Sequence, residues 1–170
     1  QEGLVVIDAG EGFQMRYSKQ RSRLKQENEP ALLRPNRIVA IALTHGHLDH
    51  TWGLLPFLQT LSLDGRQQPL VVYGPTSNVI LDALEANGID AKLPEDTPSA
   101  ELLNQYRSWF SLGGTAGHLG YPIRWLLGDP QSGRWVEFID NATDLVWYDS
   151  MPQPDAFTSF RMDSIPTSHS

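Results

Sequence analysis

The sequence predicts an α/β fold in a single domain. Three observations carry that prediction. Short runs that are apolar on both faces alternate with segments of helical spacing through the first part of the chain. A group of strand-like segments follows them. The 170 residues, 40% hydrophobic and 19% charged, suffice for one compact core. Such an order fits a sheet covered by helices, with an antiparallel part later in the chain.

The elements follow in order. "LVVID" (4–8) is a β-branched run closed by an acid and a glycine turn, and predicts a buried strand. The middle of "GEGFQMRYSKQRSRLKQENEPALLRP" (10–35) is polar and lacks Gly and Pro, so it predicts a helix broken by Pro30 and Pro35. "RIVAIAL" (37–43) is a second buried strand. "TWGLLPFLQTLSL" (51–63) has helical spacing, with Pro56 tolerable only near the first turns. "PLVVYGP" (69–75) is a third strand. "TSNVILDALEANG" (76–88) predicts a helix capped by Thr76 or Ser77 and ended by Asn87-Gly88. "TPSAELLNQYRSWF" (97–110) predicts another, with Thr97 as cap and Pro98 at the first helical position. "GGTAGHLGYP" (113–122) reads as a glycine-rich loop; no Lys-Ser/Thr follows it, so it is no phosphate loop. "RWVEFID" (134–140), "TDLVWYD" (143–149) and "FTSFRMDSI" (157–165) read as strands.

Composition narrows the chemistry. There is no cysteine, which removes disulfides and thiolate zinc sites. Any metal must sit on His, Asp or Glu, which suits zinc, manganese or iron. The net charge of −7 argues against nonspecific nucleic-acid binding by the whole surface, while leaving room for a local basic patch. No apolar run approaches the roughly 20 residues of a membrane span. A cytoplasmic location is expected. The opening "QEGLVVID" and the closing "SIPTSHS" read as those of a fragment cut at both ends.

The densest chemistry lies in "ALTHGHLDHTWGLL" (42–55). His45, His47 and His50, three of the five histidines, fall within six positions, with Asp49 among them. They follow directly on a predicted strand. Residues i and i+2 of an extended chain point the same way, so His45 and His47 can serve one metal. Gly46 permits a tight bend between them. Asp49 and His50 lie where the chain turns into a helix and can serve a second metal nearby. Two ions about 3.5–4 Å apart clamp a phosphoryl oxygen and make a nucleophile available at neutral pH. A polar loop that merely happens to carry histidines is the weaker explanation.

His45-x-His47-x-Asp49-His50 resembles the signature of the metallo-β-lactamase fold, which implies an αββα sandwich, here incomplete at both ends, over a single partial domain, residues 1–170. A second match narrows the resemblance to ribonuclease Z, the tRNA 3′-processing endonuclease family. "LVVIDAGEGFQMR" (4–16) is similar to that family's Asp-Cys-Gly-Glu-Gly-Thr-Gln segment, with Ala9 in place of Cys and Phe13 in place of Thr. "GLLPFL" (53–58), "VVYGP" (71–75) and the final "IPTSHS" (165–170) resemble family segments in the same order. The resemblance implies that His45, His47 and His169 bind one ion, and Asp49 and His50 the other. Two divalent ions, Zn first, with Mn or Fe as alternatives, are the implied cofactors. Asp49 would also help activate the attacking water. Asp8 would support the ligands by hydrogen bonding; a turn-forming role is its alternative. The family's bridging Asp and last ligand His would be expected beyond Ser170.

The implied activity is hydrolysis of a phosphodiester in precursor tRNA to remove the 3′ trailer. Precursor tRNA is the implied partner, no membrane is expected, and a homodimer is left open. The alternatives are another hydrolase on the same fold (a cyclic-nucleotide phosphodiesterase, an arylsulfatase or a lactonase) and a catalytically dead domain, against which the intact histidine motif argues. Arg16, Lys19, Arg21, Arg23 and Lys25, five of the 13 basic residues, are candidate RNA phosphate contacts, although a solvated helix face explains them more simply. His118 reads as an exposed loop histidine. Trp52, Trp109, Trp125, Trp135 and Trp147 read as core residues rather than base-stacking platforms.

Overall fold

The computed structural model describes residues 3–139, 143–155 and 161–166. Its centre is a six-stranded sheet whose spatial order follows the chain: β1 (Leu4–Ile7), β2 (Ile38–Ala42), β3 (Leu70–Pro75), β4 (Ile123–Gly128), β5 (Trp135–Ile139) and β6 (Asp144–Tyr148). β1 to β4 pair in parallel; β5 and β6 add antiparallel. The helices are α1 (Phe13–Gln26), α2 (Leu48–Thr51), α3 (Leu54–Leu63), α4 (Asn78–Asn87), α5 (Leu102–Ser111) and α6 (Ala116–Leu119).

Sequential order and parallel pairing have a consequence. Crossovers between parallel strands are right-handed, so crossovers that all advance in one direction place their helices on one face. The main core lies there. Ile41, Leu70, Val72, Leu127, Val136 and Phe138 of the sheet meet Leu54, Phe57, Leu58, Leu61, Leu81, Leu84 and Tyr106 of the helices. Phe13 and Tyr17 of α1 each meet Phe57 of α3 edge-on, with centroids 4.8 and 4.9 Å apart. The other face carries a smaller cluster, Val39, Ala40, Val71, Tyr73, Leu126 and Trp135, against which Met151 and Met162 pack. One helix layer and one sheet are thus the part of an αββα sandwich that the described residues form.

The structure differs from the sequence reading at six places. β4 was not anticipated. It is a short run interrupted by a charge, and Arg124 is tolerated there because Glu137 on β5 meets its guanidinium through two bonds of 2.8 Å. The helix expected from Thr97 starts at Leu102. Thr97 Oγ1 donates instead to the Pro94 carbonyl at 2.7 Å, and the Glu101 side chain takes the cap by accepting from Leu103 N at 3.1 Å. Ser77 is the N-cap of α4, but no side-chain bond is made there; Thr76 Oγ1 donates to Glu101. The glycine-rich loop contains the short helix α6, and His118 sits on it, exposed, with Nδ1 2.9 Å from Thr115 Oγ1. The strand expected over 157–165 lies partly outside the described residues, and 161–165 is not a strand. Trp109, Trp125 and Trp135 are buried and Trp147 packs against the core, but Trp52 is 64% exposed, against the core role expected of it.

Candidate metal centre

Parallel strands deliver their carboxyl ends to one edge of the sheet, and in open α/β sheets ligands bind at that edge. β1 ends there with Asp8, β2 with Thr44 and the histidine loop. Asp8 holds a left-handed backbone, φ 57°, uncommon outside glycine. Its N–H donates to the Ala42 carbonyl at 2.9 Å, which continues the β1–β2 ladder while the side chain turns under the loop.

The Asp8 carboxylate then organises its neighbours. Oδ1 accepts from Thr44 N at 2.7 Å, and Oδ2 accepts from Thr44 Oγ1 at 2.8 Å. His50 Nδ1 lies 2.7 Å from the same Oδ2. His45 Nδ1 lies 3.0 Å from Thr44 Oγ1. The tautomers follow from donor counting. A carboxylate only accepts, so His50 Nδ1 carries the proton toward Asp8. Thr44 has one hydroxyl hydrogen and gives it to Asp8, so His45 Nδ1 must donate to Thr44. In the neutral rings both lone pairs then fall on Nε2, the state a metal ligand needs.

Two backbone bonds clamp the Asp8–Gly12 turn onto the loop: Ala9 N donates to the His50 carbonyl and Gly53 N to the Ala9 carbonyl, both at 2.8 Å. The approach requires glycine, because a Cβ at Gly10 would lie 1.8 Å from the Asp49 carbonyl oxygen. His47 is the extended N-cap of α2, and Asp49 and His50 stand in its single turn.

The rings converge. The His45 centroid is 4.7 Å from that of His47 and 4.0 Å from that of His50. Asp49 Oδ2 is 3.4 Å from His50 Nε2, and the Asp49 side chain is 79% exposed. Two ligands at about 2.1 Å from a tetrahedral ion sit about 3.4 Å apart, so this pair is spaced to share one cation. The hydrogen bond that His50 donates to Asp8 raises the His50 pKa above its ordinary value; burial opposes that, and the charges of Asp8 and Asp49 add to it. Among the described residues no group of three or more such donors is arranged to hold a metal ion.

His169 lies outside the described residues. Residues 161–166 are described. Ser164 and Ile165 line a cleft of about 300 Å³ together with Ile7, Thr44 and Pro75, at the same sheet edge. Of the five basic residues on α1, Arg21 pairs with Asp64 and Arg23 with Glu27. At about 1.5 Å per residue, Arg16 is within about 5 Å of the start of α1 along its axis and Lys25 about 18 Å away. Along the helix axis Arg16 is therefore the nearest of them to the start of α1 and Lys25 the farthest. Thr44 was missed in the sequence reading; its only signal was its place directly before His45.

The family comparison fits this geometry. Residues 1–66 match the model of the metallo-beta-lactamase superfamily. Over that stretch the chain is similar to that superfamily. Within it, the sequence is similar to proteins named ribonuclease Z. That of Pyrococcus furiosus is 33% identical over 129 residues, covering 71% of this chain and 38% of the relative. That of Thermococcus kodakarensis is 30% identical over 128 residues, covering 71% and 37%. The chain therefore spans less than two fifths of the length of these curated relatives. A crystal structure of human tRNase Z, short form, is 22% identical, covering 81% of this chain and 46% of that one, with a TM-score of 0.35.

Proposed function

We propose that this chain is part of a metal-dependent endoribonuclease that hydrolyses a phosphodiester in precursor tRNA, removing the 3′ trailer and leaving a 3′ hydroxyl. The observation that carries the metal-centre reading is the wiring of His50: Nδ1 is fixed by Asp8 while Nε2 stands 3.4 Å from Asp49 Oδ2. The choice of RNA rests on the similarity to the two ribonuclease Z relatives.

The donor set fits hard-to-borderline divalent ions, zinc first and manganese or iron as alternatives. His45, His47 and His169 would hold one, Asp49 and His50 the other. Bound there, such ions supply Lewis-acid polarisation of the phosphate and lower the pKa of water. The protein's own part is positional. Asp8 and Thr44 hold His45 and His50 in the tautomer that presents Nε2. Asp49, whose side chain is exposed, would take the proton of the attacking water. Ile165, four residues before His169, is in reach of the loop, since four extended residues span about 13 Å. Arg16, the first of the basic residues along α1, is the first candidate for a phosphate contact, with Lys19, Arg21, Arg23 and Lys25 further along. Among the described residues no helix is long and apolar enough to cross a membrane. A cytoplasmic setting follows from the proposed substrate.

The test is substrate competition with the full-length protein. Precursor tRNA, a cyclic nucleotide, an aryl sulfate and a lactone are offered with zinc or manganese. Cleavage of the precursor at the trailer junction, far faster than any other turnover, is the expected result. Preference for one of the small esters would replace the RNA reading with another hydrolase of the same fold.

A further inference from the structure

The ligand loop is held from a second side, by a residue 55 positions beyond His50. Gln105 stands in the first half of α5. Its Nε2 donates to the carbonyl of Gly46, and its Oε1 accepts from Thr51 Oγ1 at 2.7 Å. Gly46 separates His45 from His47, and Thr51 follows His50. One amide therefore ties the beginning of the ligand loop to its end. A carboxamide is planar and presents one donor side and one acceptor side. Both ends are satisfied only when the two segments are at one spacing.

The surroundings make the tie stiff. Thr51 is 1% exposed. A Cβ on Gly46 would lie 1.9 Å from the Ala100 carbonyl oxygen, so the segment leading into α5 abuts the loop. α5 itself is anchored through buried Leu102, Leu103, Tyr106 and Trp109. At its start, Glu101 caps Leu103 N and accepts from Thr76 Oγ1 at 2.9 Å. Tyr106, the next residue after Gln105, donates to the Leu126 carbonyl at 2.9 Å and so pins the helix to β4. Ligand groups set on rigid, hydrogen-bonded supports bind more tightly than ones left to loop motion.

We infer that Gln105 is a positioning residue for the histidine loop: by bridging Gly46 and Thr51 it sets the separation of His47 from His50, and with it the site's affinity for a divalent cation. The inference rests on the metal-centre reading above. It does not require that the substrate be RNA.

Two variants separate bonding from bulk. Gln105→Met keeps the volume and loses both bonds. Gln105→Glu keeps the acceptor for Thr51 and loses the donor to Gly46. The full-length protein and both variants are titrated with zinc against a chromophoric chelator, and amide exchange over residues 45–51 is followed without metal. The expected result is zinc affinity about 10- to 100-fold lower in both variants, faster exchange confined to the loop, and a melting temperature close to wild type. Wild-type affinity in both variants, or in Gln105→Glu alone, would overturn the role of the Gly46 bond while leaving the metal centre standing. A wild-type protein that binds no zinc, manganese or iron would remove the metal-centre reading itself, and Gln105's role with it.

Discussion

On the sheet face away from the helices, Arg124 gives two hydrogen bonds of 2.8 Å to Glu137, and Tyr148 gives Glu137 a third at 2.8 Å. At the carboxyl edge, Asp8 likewise receives three, from Thr44 N, Thr44 Oγ1 and His50 Nδ1. The two carboxylates are equally well served, yet their partners differ. Arg124 and Tyr148 direct their polar ends into Glu137, which is 3% exposed. Thr44 serves Asp8 through N and Oγ1 while its Oγ1 also meets His45 Nδ1, and His50 gives Nδ1 to Asp8 and turns Nε2 toward Asp49, which stands open to solvent. The first arrangement closes on itself and holds β4, β5 and β6 together. The second is closed underneath and open on top, which is how a support for metal ligands is built.

The contrast can be broken at either end. Asp49→Ala in the full-length protein should reduce precursor cleavage by at least about 10³-fold, about 4 kcal/mol of barrier. Its melting temperature should hardly move, because the side chain is exposed. Retained cleavage would end Asp49's catalytic role. Glu137→Ala should do the reverse. An Arg124 left without its acid on a buried face destabilises by about 3 kcal/mol, measured by urea unfolding, with metal affinity preserved.

The same pair gives a pH signature. Burial pushes the Glu137 carboxyl up, but the bonds from Arg124 and Tyr148 and the Arg124 charge outweigh it and hold the pKa below the ordinary carboxylate value. The folded state therefore binds the proton less readily than the unfolded chain. The stabilisation is fully present above the unfolded value and is lost as pH falls through the folded one. Part of the acid slope of wild-type stability should vanish in Glu137→Ala; an unchanged slope would show the pair to be weakly coupled to folding. Asp8→Asn should lower zinc affinity about 10- to 100-fold, since the amide can donate as well as accept and no longer fixes the His50 tautomer. Equal affinity would leave Asp8 as a turn residue only. The smallest effect is expected for Trp52→Ala, about 0.5 kcal/mol or less in stability, because the indole is mostly exposed.

The donor cluster was legible because its chemistry is local. Four ligand-type residues in six positions after an apolar strand need no tertiary information. Asp8 was legible through the resemblance of "LVVIDAGEGFQMR" to a family segment, whose Gly10 makes a backbone contact that no side chain would permit. Gln105 was not legible, because its whole role is a contact across 54 positions with Thr51, and nothing in its own neighbourhood marks it. The start of α5 misled for a related reason. Thr97-Pro98 carries the usual signs of a helix start, but the Thr97 hydroxyl turns back to the Pro94 carbonyl, and Glu101, which also accepts from the distant Thr76, takes the cap. β4 escaped because its one charge, Arg124, is neutralised by a residue on the next strand.

The most direct measurement is the position of a bound cation. Crystals of the full-length protein grown with zinc, and anomalous difference maps at the zinc edge, would locate it. The account predicts a peak about 2.1 Å from both Asp49 Oδ2 and His50 Nε2, with the His50–Asp8 bond intact. A fully occupied ion elsewhere, with Asp49 and His50 uncoordinated, would contradict it.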